Sequence, residues 1–261
     1  MDDSKQNSVR VLEKALTVLE HLSRIEQDID LASLTQQLDM PKTTLLRLLN
    51  TLKKHNFVQQ DERSRRYRLG WALIYLGKAA NKVFDIVEFI HPYLEKLSRR
   101  SGETANLVFL DRNYAVYVDQ VVSDNIIRGV PAVGSPLGLH CTAAGKVLLS
   151  CQSDDAISEI LPQIELNALT DKTITDRQKL REELRRVAEQ GWALDDEESE
   201  LGGRCVAAPV FEKNGTLIAS ISVMGPANRV NPATIPALSA LLLKTAREIS
   251  QELGYRQDPP L

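Results

Sequence analysis

The stretch PKTTLLRLLNTLKK, residues 41–54, decides how this chain is read. Pro41, with its fixed φ, suits the first position of a helix and stands just ahead of a run with helical spacing. At about 100° per residue, Leu45, Leu48, Leu49 and Leu52 fall on one side of that helix. Thr43, Arg47, Asn50 and Lys54 gather on the other side, with Lys42 and Thr44 at its start. A solvated face of any amphipathic helix has the same gross pattern, so the neighbouring segments must decide.

Upstream, LASLTQQL predicts a short helix with Asp30 as its N-cap. Before it, SVRVLEKALTVLEHLSR predicts a first helix over about residues 8–25, with Val9, Leu12, Leu16 and Leu19 on one stripe. A short helix, a brief turn and a Pro-started helix have the layout of a helix-turn-helix. Its outer face offers hydroxyl, amide and cationic donors, which base edges and phosphates accept. Downstream, Phe57, Val58, Tyr67 and Leu69 bracket a polar centre, as in a β-hairpin. Arg63, Arg65, Arg66 and Arg68 surround its tip, so the hairpin reads as a wing. Charge agrees: residues 40–82 hold 10 Lys+Arg and 2 Asp+Glu, although the whole chain has a net charge of −3. A basic module is attached to an acidic body, and concentrated positive charge attracts phosphate backbones.

A length of 261 residues is comfortable for two domains, and 43% hydrophobic with 26% charged residues is ordinary for a globular protein. The expected fold is a two-domain α+β chain, with a winged helix-turn-helix over residues 1–70, a connector helix over 71–83 and a second domain over 84–261. Apolar residues on the connector point to a partner chain, with Leu73, Leu76 and Phe84 expected to be partly buried there. DIVEFIHPYLEKLSRRSG is helical, with Pro92 expected to start or kink a helix. Beyond it, ETANLVFLD and YAVYVDQVV read as strands joined at Arg112-Asn113, and IIRGVPAVGSPLGLH as a further strand with a Gly/Pro loop. CTAAGKVLLS, SDDAISEILP and TDRQKLREELRRVAEQG read as helices, the last stopped by Gly191. GRCVAAPVF and TLIASISVMG read as strands turning at Lys213-Asn214-Gly215, before a terminal helix. The second domain is expected to be mostly antiparallel.

No run approaches the ~20 apolar residues of a membrane helix, and the polar start MDDSKQNSVR predicts no secretory signal. Three cysteines fit a reducing cytoplasm better than a disulfide framework. Gly145-Lys146 is not a P-loop, because His140 and Val147 stand where a glycine and a Ser/Thr are needed. GSPLG at 134–138 is not a nucleophile elbow, and the four histidines have no zinc spacing. A Cys205–His140 dyad is the one nucleophilic pairing left open. No enzyme activity, metal or cofactor is expected.

Taken together, the helix-turn-helix with PKTTLLRLL, the YRLG closing the wing, LHCTAAGKVLL, GWALDDEESELGGRCVAAPVF and LIASISVMGPANRV resemble the IclR family of bacterial transcription regulators. The resemblance covers nearly the whole chain. It implies a GAF-like effector domain, a homodimer or homotetramer, a palindromic double-stranded operator and a small, often carboxylate-bearing effector. It also implies an effector pocket between the start of the CTAAGK helix and the two late strands. The matching positions are Thr142, Ala143, Ala144, Asp195, Cys205, Ser222 and Met224. Met224 departs from the serine of members that sense small 2-oxo acids, which implies a larger or less polar effector. The residues themselves point to the same place, since small side chains at 143–145 leave helix N-terminal amides open to an anion. Close packing of that helix on a sheet would use the same small residues. Arg128 and Arg204 are candidate charge partners. DNA contacts are expected from Lys42, Thr43, Thr44, Arg47, Asn50, Lys54, Arg65 and Arg66. The competing reading is a small-molecule enzyme or sensor with a basic nucleic-acid-binding module.

Overall fold

The computed structural model describes residues 9–25, 27–79 and 82–256. The described residues fall into two compact units, divided between Phe84 and Asp85.

In the first unit, helices α1 (Arg10–Ser23), α2 (Leu31–Leu38) and α3 (Lys42–Lys54) precede a hairpin of β1 (Val58–Gln60) and β2 (Tyr67–Leu69). Asp30 caps α2 as expected, accepting from the N–H groups of Ala32 and Ser33. Asp39 takes a left-handed φ of 46°, which ends α2 and turns the chain into α3. Pro41 is the cap of α3, one residue ahead of its expected place, because helical geometry begins at Lys42. Ile29 and Tyr67 exchange backbone hydrogen bonds of 3.1 and 2.7 Å, so the segment before α2 adds a bridge to the hairpin. The core gathers Leu34, Leu45, Leu49 and Val58 around Val18 of α1. The stripe that marks α1 in the sequence meets that core only through the half-buried Leu19. Val9, Leu12 and Leu16 are exposed, while Val18 and Leu22 are buried. Helix α1 carries two apolar stripes, and the more obvious one faces solvent.

Gly70 closes the hairpin, and a Cβ there would lie 2.1 Å from the carbonyl oxygen of Asn56. No other residue fits this approach. Helix α4 (Ala72–Ala79) follows, with Ile74, Tyr75 and Leu76 exposed and Leu73 half-buried. Residues 80 and 81 of the expected connector, and the side chain of Phe84, lie outside the described residues.

The second unit is built on a six-stranded antiparallel sheet in the order β5-β4-β3-β8-β7-β6. Its strands are β3 (Thr104–Asp111), β4 (Tyr114–Val121), β5 (Pro136–Leu137), β6 (Ala193–Asp196), β7 (Gly203–Phe211) and β8 (Leu217–Pro226). One face packs α6 (Ala143–Ser150), α7 (Asp154–Ile160) and α8 (Arg177–Gln190). The other packs α5 (Lys82–Ser101) and α9 (Ile235–Glu252). Alternation along each strand divides the two cores: Cys205, Ala207 and Met224 lie on the α6 side, and Val206, Ile221 and Val223 on the α9 side.

Two readings need correction, and one strand went unread. Residues 126–130 form no strand; of IIRGVPAVGSPLGLH only Pro136 and Leu137 pair, because the Gly/Pro content breaks the run. Pro92 sits inside the continuous helix α5, where the buried Ile90, Leu94 and Leu97 offset the missing hydrogen bond. ALDD at 193–196 is the edge strand β6, unread in the sequence because it is short and ends in acids.

Candidate functional site

On α3, Lys42, Thr43, Arg47, Asn50 and Lys54 are exposed, opposite the four buried leucines. Thr44 is half-buried, since it lies at the edge of the leucine face. The wing tip is organised by Asp61, whose Oδ1 accepts from the N–H groups of Arg63 and Ser64 and from the Ser64 hydroxyl. Those bonds from Ser64 hold its carboxyl below the usual range, so the tip stays ordered around an ionised acid. Arg65 adopts a φ of 59°, with its carbonyl taken by Gln60 Nε2. Arg63, Arg65 and Arg66 are exposed and enter no ion pair among the described residues. Arg68 differs from the other tip arginines: it donates to Gln59 and lies 3.6 Å from Asp28. One contact went unread: Lys53 Nζ donates to Gln60 Oε1 at 3.0 Å, which ties the helix to the wing.

In the second unit a cavity of about 530 Å³ opens between the start of α6, strands β6–β8 and the loop before β5. That size suits a small organic ligand. Thr142 Oγ1 caps α6 by accepting from the Gly145 N–H at 3.1 Å, and donates to the Gly138 carbonyl. Lys146 N–H is taken by the Thr142 carbonyl, so Ala143 and Ala144 hold the open amides of the first turn. A Cβ on Gly145 would come within 2.6 Å of Leu139 Cα, so glycine lets the helix start this close to the loop.

Of the expected effector residues, Thr142, Ala144, Asp195, Cys205 and Met224 line the cavity. Ala143 is buried in the core beside it. Ser222 stands apart from the five lining residues. It is wholly buried, accepts from Asn106 Nδ2 at 3.3 Å and does not line the cavity, because Met224, two residues on along the same face, takes that place. Arg128 lines the exposed rim. Arg204 does not reach it, since its guanidinium is held by Asp196, Glu197 and two backbone carbonyls.

Asp195 is buried. Its Oδ2 accepts from the Ser199 hydroxyl, and its Oδ1 from the N–H groups of Glu198 and Ser199. Burial raises its carboxyl above the usual range, against those hydrogen bonds. Burial, then the charge of Asp195, pushes the thiols of Cys141 and Cys205 up to about 12, so both are protonated near neutrality. The His140 ring pairs with the Asn167 carbonyl. In the Cys205–His140 dyad the thiol is therefore kept protonated, and one nitrogen of the His140 ring is taken by a backbone carbonyl.

Sequence reasoning also missed Lys146. Its side chain is 1% exposed, and Nζ donates to Leu194 O at 2.5 Å and Glu198 Oε1 at 2.6 Å, with Glu183 at 3.5 Å. The acid-rich DDEESE run was the available signal, since a buried cation needs anionic partners.

Comparison with known proteins agrees with this architecture. Residues 11–62 match the family model of the IclR helix-turn-helix domain, and residues 78–251 match that of the bacterial transcriptional regulator IclR C-terminal domain. The chain is 34% identical to the HTH-type transcriptional regulator KdgR of Escherichia coli, covering 98% of this chain and 97% of that one. It is 31% identical to the acetate operon repressor of Salmonella typhimurium, over 94% of this chain and 90% of that protein. The crystal structure of the Thermotoga maritima IclR superposes with a TM-score of 0.80 at 31% identity, covering 94% of this chain and 99% of that one. The chain belongs to the IclR family of bacterial transcriptional regulators.

Proposed function

We propose that this regulator is a repressor of a catabolic operon that binds a palindromic operator and is controlled by a small carboxylate-bearing metabolite. The observation that carries the DNA reading is the exposed face of Thr43, Arg47, Asn50 and Lys54 on a helix anchored by four buried leucines. Such a helix enters the major groove, while the cationic wing lies on the backbone. Repression is supported by the name of the Salmonella relative. In this reading residues 1–70 bind DNA, 71–83 connect, and 84–261 hold the effector. The site of action is the bacterial cytoplasm, and no described helix is long and apolar enough to cross a membrane. An anionic effector would seat its carboxylate on the Ala143 and Ala144 amides, and Asp195, Cys205 and Met224 would read the rest. Selection of genomic fragments by the purified protein, with and without 2-oxo acids, sugar acids and aromatic acids, tests both halves. Recovery of no enriched sequence overturns the DNA half.

Arg47→Ala is expected to weaken operator binding by about 1–3 kcal/mol and to relax the preference at one base position. Arg65→Ala with Arg66→Ala is expected to weaken all sequences alike, lowering the salt slope by about 2. Titrations at several salt concentrations separate the two. An unchanged slope in the double variant removes the wing from the interface.

A palindromic site needs two recognition helices about one DNA turn, or a multiple of it, apart, so the protein must act as a dimer or tetramer. Two apolar faces of the first unit, Val9, Leu12 and Leu16 on α1 and Ile74, Tyr75 and Leu76 on α4, are exposed and suit that contact. Light scattering at micromolar concentration is expected to give at least a dimer, and Leu12→Asp with Tyr75→Asp to shift it toward monomer. A monomeric wild type would refute this.

A further inference from the structure

Helix α6 starts at the cavity, yet its fourth residue carries a cation into the interior, where an unpaired charge costs several kcal/mol. Two donors of Lys146 make hydrogen bonds whose acceptors bracket one turn, and Glu183 of α8 lies 3.5 Å away as a further counter-charge. The Leu194 carbonyl belongs to β6, the edge strand, which has a neighbour on one side alone. Glu198 lies four residues on, and its N–H donates to Asp195 Oδ1 at 2.8 Å. Between them Glu197 takes a φ of 63°, a left-handed conformation unfavourable for a side-chain-bearing residue. Such a turn persists where its surroundings over-determine it. Thr170 and Thr173 donate to the carbonyls of Glu197 and Glu198, and Lys146 holds the Leu194 carbonyl and the Glu198 carboxylate.

We infer that Lys146 and Glu198 are positioning residues of the effector site, a buried clamp that holds the strained turn at 195–198 so that Asp195 keeps its place in the cavity wall. The inference rests on the effector reading for its consequence, though not for its geometry. Neither clamp residue lines the cavity, so an effect on ligand must pass through the turn. The arrangement also couples two parts of the site. The helix that supplies the Ala143 and Ala144 amides carries the lysine that fixes Asp195, so the anion seat and the acid facing it are set as one piece.

The test replaces the clamp by apolar groups of similar volume, Lys146→Met with Glu198→Leu, a change that buried ion pairs often tolerate. Hydrogen exchange in the ligand-free protein reads the turn directly. The amides of Glu198 and Ser199, which donate to Asp195, are expected to exchange at least about tenfold faster, with β7 and β8 unchanged. Calorimetry with pyruvate, gluconate and benzoate, as probes of three carboxylate classes, is expected to show at least about tenfold weaker binding of whichever the wild type takes. Unchanged exchange at Glu198 and Ser199 overturns the proposal. Should the wild type bind none of the three probes, the carboxylate reading fails, and the exchange result still decides the clamp. If the double variant does not fold, Glu198→Gln and Glu198→Leu replace it. Glutamine keeps an acceptor for Lys146 and is expected to preserve protection, whereas leucine loses it; equal protection in the two overturns the clamp.

Discussion

Leu49→Ala is expected to melt the amino-terminal unit well before the rest of the protein. Leu49 has no exposed surface and sits among Leu45, Val18 and Leu34 at the centre of a small core. Truncating a buried leucine costs about 2–5 kcal/mol, from lost transfer energy and the cavity left behind. A domain of this size holds roughly 5–10 kcal/mol in all, so the variant sits near its threshold. Scanning calorimetry should show one transition lowered by about 10 °C or more and the other unmoved. DNA binding at physiological temperature should fall with the first transition. A uniform shift of both transitions would mean that the two units do not unfold independently.

Gly145→Ala is expected to be nearly as damaging, in the second unit. Helix propensity alone favours alanine by about 1 kcal/mol. Against it stands the new Cβ, which would lie 2.6 Å from Leu139 Cα and 2.8 Å from the Gly138 carbonyl oxygen. Both atoms are backbone, so no side-chain rotation relieves the contact. Overpacking costs about 1–3 kcal/mol. If the helix start moves away, the Thr142 cap goes with it, at about 0.5–2 kcal/mol more. The clash wins. Thermal unfolding should report a less stable second unit, and effector binding should be lost even below its melting point. A variant as stable as the wild type would show that the loop at 138–139 yields without cost.

The helix-turn-helix was legible because its signals are local. Asp30 as cap, Pro41 before α3 and the leucine spacing in α3 act within a few residues, and each appears in the fold. On α1 the apolar spacing gave the helix but not which stripe meets its own chain: Val18 and Leu22 are buried, while Val9, Leu12 and Leu16 are exposed. The cavity was legible in part. Thr142, Asp195, Cys205 and Met224 were named from resemblance, and the sheet brings them together, pairing Asp195 with Cys205 and Cys205 with Met224 in register. Ser222, named from the same resemblance, is wholly buried against Asn106, because strand alternation gives the face of a residue but not its depth. Lys146 escaped because its partners lie 37, 48 and 52 residues away, a distance no local pattern spans.

The central sheet divides its residues by parity, and that has an evolutionary consequence. Substitutions at 205 and 224 reshape the cavity wall, while those at 206, 221 and 223 touch a separate core against α5 and α9. Under the proposed effector reading, changes at one set of alternate positions alter what the cavity admits while the other set keeps the domain folded. Met224 shows how short such a step is. Gly129 leaves room for its sulfur, and any side chain at 129 would meet that sulfur at 2.7 Å. A two-residue exchange at 129 and 224 would recut the cavity without disturbing the opposite face, so a single scaffold could serve chemically distant signals.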